Sequence, residues 1–255
     1  MKSEKIYRFG MVIDLDRCNG CGNCTMACAV ENNITPAPNS RMNERNGVTW
    51  LRVFEVPNGG QYPESETVFI PMMCQQCAHE TPCVTVCPQN AVELDPATGI
   101  VAQIPQRCLG CRYCMTACPY HARYFNWWDP EWPAGLEKQL NPDAAPRMRG
   151  VVEKCNFCHG RMHAAKAKAA ASGSLEIAAS DYIPACVESC PVEAIVFGDL
   201  NDPESKVSKL AHSEHTFRFL ERLGTEPKVR FHSERSWVRA MAENSVGSGQ
   251  EEQHG

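Results

Sequence analysis

The 255-residue sequence predicts an α+β fold with little regular structure. Three observations carry this. Sixteen cysteines fall into four groups of four, with none outside a group: Cys18, Cys21, Cys24, Cys28; Cys74, Cys77, Cys83, Cys87; Cys108, Cys111, Cys114, Cys118; and Cys155, Cys158, Cys186, Cys190. Three of the groups end in Cys-Pro, in "CPQNA", "CPYHA" and "CPVEA". Between the second and third groups, alternating apolar residues flank Asp95-Pro96-Ala97-Thr98-Gly99, which reads as a short β-hairpin.

Taken along the chain, "YRFGMVIDLD" (7–16) is the first expected strand. The first cysteine group follows, and short helices are expected after each fourth cysteine. Residues 32–66 form a polar, turn-rich insertion holding one strand, "VTWLRVFEV". The hairpin lies at 91–104. A second insertion, Arg123 to Gly150, mixes aromatics with prolines and contains Trp127, Trp128 and Trp132. These tryptophans read equally as core or as a partner-docking surface. Gly160 to Tyr182 begins as a basic, alanine-rich helix, and "AIVFGDL" (194–200) is a further short strand. The polar tail "AENSVGSGQEEQHG" is expected to be disordered.

Composition narrows the class. With 43% hydrophobic and 22% charged residues, the chain suits one large globular domain or two smaller ones. A net charge of −5 gives no electrostatic footprint for nucleic acid. Nothing approaches the roughly 18 apolar residues of a membrane span. The start, "MKSEKIYRFG", has neither the apolar core of a secretory signal nor paired arginines, so taken alone it reads as cytoplasmic.

The cysteine spacing selects the chemistry. A disulfide framework suits small secreted chains, and this one is neither. Structural zinc takes two C-x2-C pairs, a pattern the fourth group could pass for. The first and third groups add a third thiol two residues beyond the pair. Three thiols in C-x2-C-x2-C wrap the irons of one cubane, while a fourth after x3 points away; in two-cluster ferredoxins it binds the other cluster. Proline after that residue fixes φ and turns the chain aside. Iron–sulfur clusters are therefore expected, with a zinc-binding structural protein as the alternative class. A radical enzyme would be expected to carry C-x3-C-x2-C, which no group provides.

The order of these motifs, with the phrases "PMMCQQCAHETPCVTVCPQNAV", "RYFNWW", "PACVESCPVEAIVFGDLNDPESKVSKL" and "LGTEPKV", resembles the four-cluster iron–sulfur subunits of membrane-bound respiratory oxidoreductases. That family serves dimethyl sulfoxide, polysulfide, thiosulfate and nitrite reductases, alternative complex III and the Qrc menaquinone reductase, the last being the most similar. The resemblance implies two pseudo-symmetric bacterial-type ferredoxin modules with exchanged fourth ligands. The outer module would comprise 1–31 with 150–200, and the inner one 67–125. Insertions would span 32–66 and 126–149, with a docking extension at 201–240 and a tail at 241–255. It further implies cluster a on Cys18, Cys21, Cys24 and Cys190; b on Cys155, Cys158, Cys186 and Cys28; c on Cys74, Cys77, Cys83 and Cys118; and d on Cys108, Cys111, Cys114 and Cys87. Four [4Fe–4S] clusters are expected, one of which could be isolated as [3Fe–4S].

The implied role is one-electron transfer between a periplasmic redox subunit and a quinone-reactive membrane subunit, with no catalytic residue in this chain. The implied partners are a molybdopterin-family subunit, a multihaem cytochrome c subunit and a polytopic membrane quinone-binding subunit. The implied site is the periplasmic face of the inner membrane, reached with a signal-bearing partner; the cytoplasmic face is the alternative. A polysulfide, thiosulfate or sulfoxide reductase assembly is the alternative function.

Two finer expectations concern side chains. A basic residue precedes the first cysteine in three groups (Arg17, Arg107, Lys154), whereas Met73 takes that place in the second. A nearby cation favours the reduced cluster, so the cluster of Cys74, Cys77 and Cys83 is expected to have a low potential. His79 and His121 lie beside complete cysteine sets and are expected to pack or face solvent.

Overall fold

The computed structural model describes residues 5–35, 47–145 and 147–244. Strand β1 (Phe9–Asp14) is buried almost throughout. Its unbroken apolar run, in place of alternation, suits a strand covered on both faces. Helix α1 (Asn23–Glu31) carries Cys24 and Cys28 four residues apart, hence on one face. Strands β2 (Leu51–Pro57) and β3 (Thr67–Met73) pair antiparallel from Leu51↔Met73 to Pro57↔Thr67. Helix α2 (Pro82–Thr85) opens on a proline, whose missing N–H would be unpaired there anyway.

The hairpin of β4 (Val92–Leu94) and β5 (Val101–Gln103) forms as the sequence indicates. Asp95 organises its turn: the carboxylate accepts from the Ala97 N–H at 2.9 Å and the Thr98 hydroxyl at 2.6 Å. Helix α3 (Tyr113–Ala117) leads to β6 (Tyr124–Phe125), which pairs with β7 (Val152–Glu153) across the aromatic insertion. The alanine-rich segment forms α4 (His159–Ala171), and α5 (Ala185–Glu188) precedes β8 (Ile195–Asp199). Then come α6 (Lys206–Ala211), β9 (Thr216–Phe217), β10 (Val229–His232) and α7 (Ser236–Asn244).

The main sheet has the order β8–β1–β10–β9. β1 is antiparallel to β8 and parallel to β10, with Met11 opposite Val229 and Phe197. Its buried side meets a cluster of rings: Tyr7 stacks on Phe9, and Tyr182 and Phe157 set their edges against Phe197. Among the described residues, no helix is long and apolar enough to cross a membrane.

Three expectations change. In the three Cys-Pro groups the helices lie before the fourth cysteine or end on it, and in the first group α1 runs through Cys28, so none begins after a fourth cysteine. A residue preceding proline is pushed out of the α region, so Cys118 closes α3 with φ −79° and ψ 110°. The stretch 201–240 is no peripheral extension: β10 sits inside the main sheet, with Val229 and Phe231 fully buried. The tail begins later than 241, because α7 runs to Asn244; residues 245–255, expected to be disordered, lie outside the described residues.

Phe231→Ala should lower stability by about 3–5 kcal/mol, the usual loss for a fully buried ring. Leu223→Ala, on a partly exposed turn of the same stretch, should cost under about 0.5 kcal/mol. Urea denaturation of the two variants would show equal small losses if 201–240 merely decorated the fold.

Candidate iron–sulfur centres

Each C-x-x-C loop is shaped by one left-handed residue. The third position is Gly20, Gln76, Gly110 or Phe157, with φ of 75°, 50°, 76° and 55°. That turn brings the two thiols to one side of the loop. A second left-handed residue recurs three places after each Cys-Pro cysteine: Asn90, His121 and Glu193, with φ between 48° and 49°. The next N–H then points back at the sulfur. Ala91 donates to Cys87 Sγ at 3.2 Å and Ala194 to Cys190 Sγ at 3.3 Å. Ala122 donates in the same sense to Cys118. His121 is thus an exposed turn residue, and His79 is exposed as well.

The first group, which has no proline, solves the same problem differently. Helix α1 runs on past Cys28, and the Asn32 N–H is taken by the Cys28 carbonyl at 3.2 Å. Its side-chain amide replaces it, donating to Cys28 Sγ at 3.7 Å. Asn32 was missed in the sequence; its place four residues after a fourth cysteine was the available signal.

The thiols gather across the chain. Cys74, Cys77, Cys83 and Cys118 line one cavity, together with Thr81, Tyr120 and Arg123. Cys87, Cys108, Cys111 and Cys114 line another. Cys18 and Cys24 each have Cys21 and Cys190 as electrostatic neighbours. Cys28 and Cys186 have Cys155 and Cys158. Burial pushes Cys77 and Cys155 up to about 12 and Cys24 and Cys158 up to about 11; neighbouring thiols add to the rise at Cys77, Cys155 and Cys24, and Glu31 adds to it at Cys158. The four gatherings are also consecutive. Cys24 of the first neighbours Cys28 of the next, Cys155 neighbours Cys74, and Cys83 neighbours Cys114.

The premise of the expectation from basic residues, that the Cys74 set lacks a nearby cation, does not hold in the structure. Arg17 and Arg107 are half-exposed and reach Glu193 and Glu93 at 3.9 and 3.5 Å, where solvent screens them. Lys154 instead is buried, its ammonium held by the carbonyls of Val101 and Cys155. Two further buried cations come from distant sequence. Lys228 donates to the Gly99 carbonyl; burial pulls it down to about 8, opposed by the thiols of Cys74 and Cys77. Arg123 donates to Gln103, while its Nε and Nη1 find no nitrogen or oxygen acceptor and face the thiols of Cys83, Cys114 and Cys74.

Among the described residues, none of these three cations pairs with a carboxylate. A buried charge left unpaired costs several kcal/mol. Thiolate-bound cubanes, whose four thiolates outweigh the charge of the cluster, are the fitting counter-ions. The donor spacing agrees. Tetrahedral zinc at 2.3 Å from each sulfur would hold four sulfurs about 3.8 Å apart. Among the described residues, no cysteine, histidine or carboxylate trio converges on such a point. A cubane gives each thiolate its own iron and keeps the sulfurs further apart.

Comparison with known proteins agrees with this chemistry. Residues 65–133 match the 4Fe-4S dicluster domain family, and residues 9–30 match the 4Fe-4S binding domain family. The chain is 51% identical to the menaquinone reductase iron–sulfur cluster-binding subunit of Nitratidesulfovibrio vulgaris, over 96% of both chains. It is 37% identical to a putative dimethyl sulfoxide reductase iron–sulfur subunit of Halobacterium salinarum, over 88% of this chain and 78% of the relative. It is 36% identical to an iron–sulfur subunit of an Hdr-like menaquinol oxidoreductase of Archaeoglobus fulgidus, over 87% and 82%.

The chain belongs to the iron–sulfur subunits of respiratory oxidoreductases. It is an electron-transfer subunit of an oxidoreductase complex, not a catalyst by itself, and it carries four [4Fe–4S] clusters. In such a subunit the protein's work is to hold the cubanes, hydrogen-bond their sulfurs and set the charge around them.

Gly110→Ala should be the more damaging of two glycine variants. Both Gly110 and Gly22 have φ of 76°, so each alanine carries the left-handed penalty of about 1–2 kcal/mol. At Gly110 the added Cβ would also lie 2.3 Å from the Gly150 carbonyl oxygen, whereas at Gly22 it meets nothing within 4 Å. Iron content and urea midpoints of the two variants should therefore separate, and coincident values would contradict the role given to the loop.

Proposed function

We propose that the four thiol gatherings are the ligand sets of clusters a (Cys18, Cys21, Cys24, Cys190), b (Cys28, Cys155, Cys158, Cys186), c (Cys74, Cys77, Cys83, Cys118) and d (Cys87, Cys108, Cys111, Cys114). They form a wire in the order a–b–c–d. The carrying observation is where the wire reaches solvent. The exposed cysteines, Cys21 and Cys111, belong to a and d, while b is enclosed. Apolar side chains stand exposed at both ends: Met26 near a, and Leu109 and Tyr113 near d. Electrons enter at one end and leave at the other, one at a time, with the cubanes supplying the redox chemistry. Cys21 and Cys111 bring each terminal cluster to the surface, where a partner can approach.

Two ferredoxin modules, pseudo-symmetric in plan, follow from this reading. Helices α1 and α5 pack together, and α1 itself, or α5 with the turn that follows it, supplies ligands of both a and b; α2 and α3 pack together and, with the turns after them, do the same for c and d. The outer module is 1–31 with 150–200 and the inner one is 67–125, with insertions at 32–66 and 126–149. By likeness to the Nitratidesulfovibrio relative, the wire serves menaquinone reduction. It joins a periplasmic multihaem cytochrome c or molybdopterin-family subunit to a polytopic quinone-binding membrane subunit. The assembly sits on the periplasmic face of the inner membrane, and this chain crosses folded with a signal-bearing partner.

Anaerobic affinity purification from detergent-solubilised native membranes tests the assembly, with mass spectrometry, haem staining and metal analysis. A haem-staining cytochrome, a polytopic membrane protein and at least about sixteen non-haem iron and sixteen acid-labile sulfide per chain are expected, four cubanes' worth. Molybdenum without haem would transfer the chain to a sulfoxide or polysulfide reductase. Zinc without sulfide would overturn the electron-transfer reading altogether.

A further inference from the structure

We propose that Arg123, Lys154 and Lys228 make cluster c the electron well of the wire, the cluster of highest potential, where an electron rests between arrival and departure. The inference rests on the ligand sets proposed above and adds an energetic order to them.

The three cations converge on one set from three parts of the chain. Arg123 lines the cavity of Cys74, Cys77, Cys83 and Cys118; its Nε and Nη1 find no nitrogen or oxygen acceptor, and its charge acts on the thiols of Cys83, Cys114 and Cys74. Lys154 caps the carbonyl of Val101, which lines the same cavity. Lys228 is fixed by its own backbone, whose N–H donates to the Gln75 carbonyl inside the Cys74–Cys77 loop at 3.0 Å. All three are at least 96% buried, with relative exposures of 4%, 1% and 1%. Buried charge is little screened by salt, and its field acts at low effective dielectric.

The other sets lack this. Cluster a has Asp14 beside Cys18, and its nearest basic residue, Arg17, is half-exposed toward Glu193. Beside Cys158 of cluster b, Arg161 is already held by Glu31 at 2.8 Å and Glu188 at 2.6 Å. Lys154 lies next to Cys155, so b shares one buried cation with c. Cluster d shares Arg123 through Cys114. Taking up one electron makes a thiolate-bound cubane more negative by one charge. Three fixed positive charges favour that state at c more than one does at b or d, and more than none does at a. No proton has to move with the electron.

The test is a potentiometric titration at pH 7, monitored by electron paramagnetic resonance, on the purified holo-complex and on Lys228→Gln, Lys228→Arg and Arg123→Gln. Cys118→Ser identifies the signal of cluster c, and Cys87→Ser that of d. In the unmodified protein the c signal should be reduced first. K228Q should lower its reduced-to-oxidised ratio at fixed potential at least tenfold, about 59 mV for one electron, and leave a and d in place. R123Q should lower both c and d. K228R, which keeps the charge, should stay near the parent value. If K228Q loses iron, the comparison of K228R with R123Q decides. Full iron content with every midpoint unmoved in K228Q and R123Q would overturn the inference while leaving the ligand sets intact. If C118S and Cys74→Ser perturb different signals, the ligand sets themselves fail.

Discussion

Enclosing several anionic clusters in a protein interior is the constraint on which this structure depends. Four thiolates around each cubane bring more negative charge than the iron core cancels, and most of these sulfurs are shut away from water. The protein answers in two ways. Backbone and side-chain N–H groups from Ala91, Ala122, Ala194 and Asn32 are aimed at the fourth cysteine of each group. Where burial is deepest between the two halves, whole cations are set against the charge: Lys154, Lys228 and Arg123 lie in the interior without carboxylate partners. Without clusters these three would be unpaired buried charges costing several kcal/mol each, comparable in sum with the whole stability of a typical domain. The clusters are therefore part of the fold and not passengers in it.

The same economy explains the short helices. A thiol at one position and a second four residues later share a face of α1, and Cys83 with Cys87, Cys114 with Cys118 and Cys186 with Cys190 repeat that spacing at helix ends. On the proposed ligand sets, one turn of helix is thereby enough to touch two neighbouring clusters. The left-handed residues on either side set the approach of the loop and then its departure. Regular structure is needed only where the chain must be held against itself, in β1, β8 and β10.

How much of this could be read in advance follows from what is local. Spacing, Cys-Pro and the Asp95 turn are local, so the cysteine groups, the hairpin and the alanine-rich helix were legible. Partnerships between distant segments were not. β10 is four residues long and its partner β1 lies more than two hundred positions earlier, so its central place in the sheet left no periodic trace. Charge misled for the same reason. Met73 precedes its cysteine without a cation, yet Arg123 and Lys228 arrive beside that set through the fold. Arg17 and Arg107 are adjacent in sequence and turn to solvent. Adjacency along the chain says little about the field at a buried site.

The order in which the sheet closes has a consequence for synthesis on the ribosome. All the cysteines of the Cys74 and Cys108 loops, up to Cys118, have left the exit tunnel well before the chain is finished, so on the proposed ligand sets the inner pair of cofactors can be received early. β1, although translated first, has no strand partner until β8 and β10 appear; Tyr7 and Phe9 can reach the Ala97 and Thr98 carbonyls earlier, but the Arg8 N–H waits for Asp199, 191 residues later. Contacts of that separation close slowly. The N-terminal segment, with three thiols at its tip, therefore spends most of translation without the sheet that later holds it. Its apolar strand is then a natural client for a chaperone, and its open cysteines the first to meet oxygen.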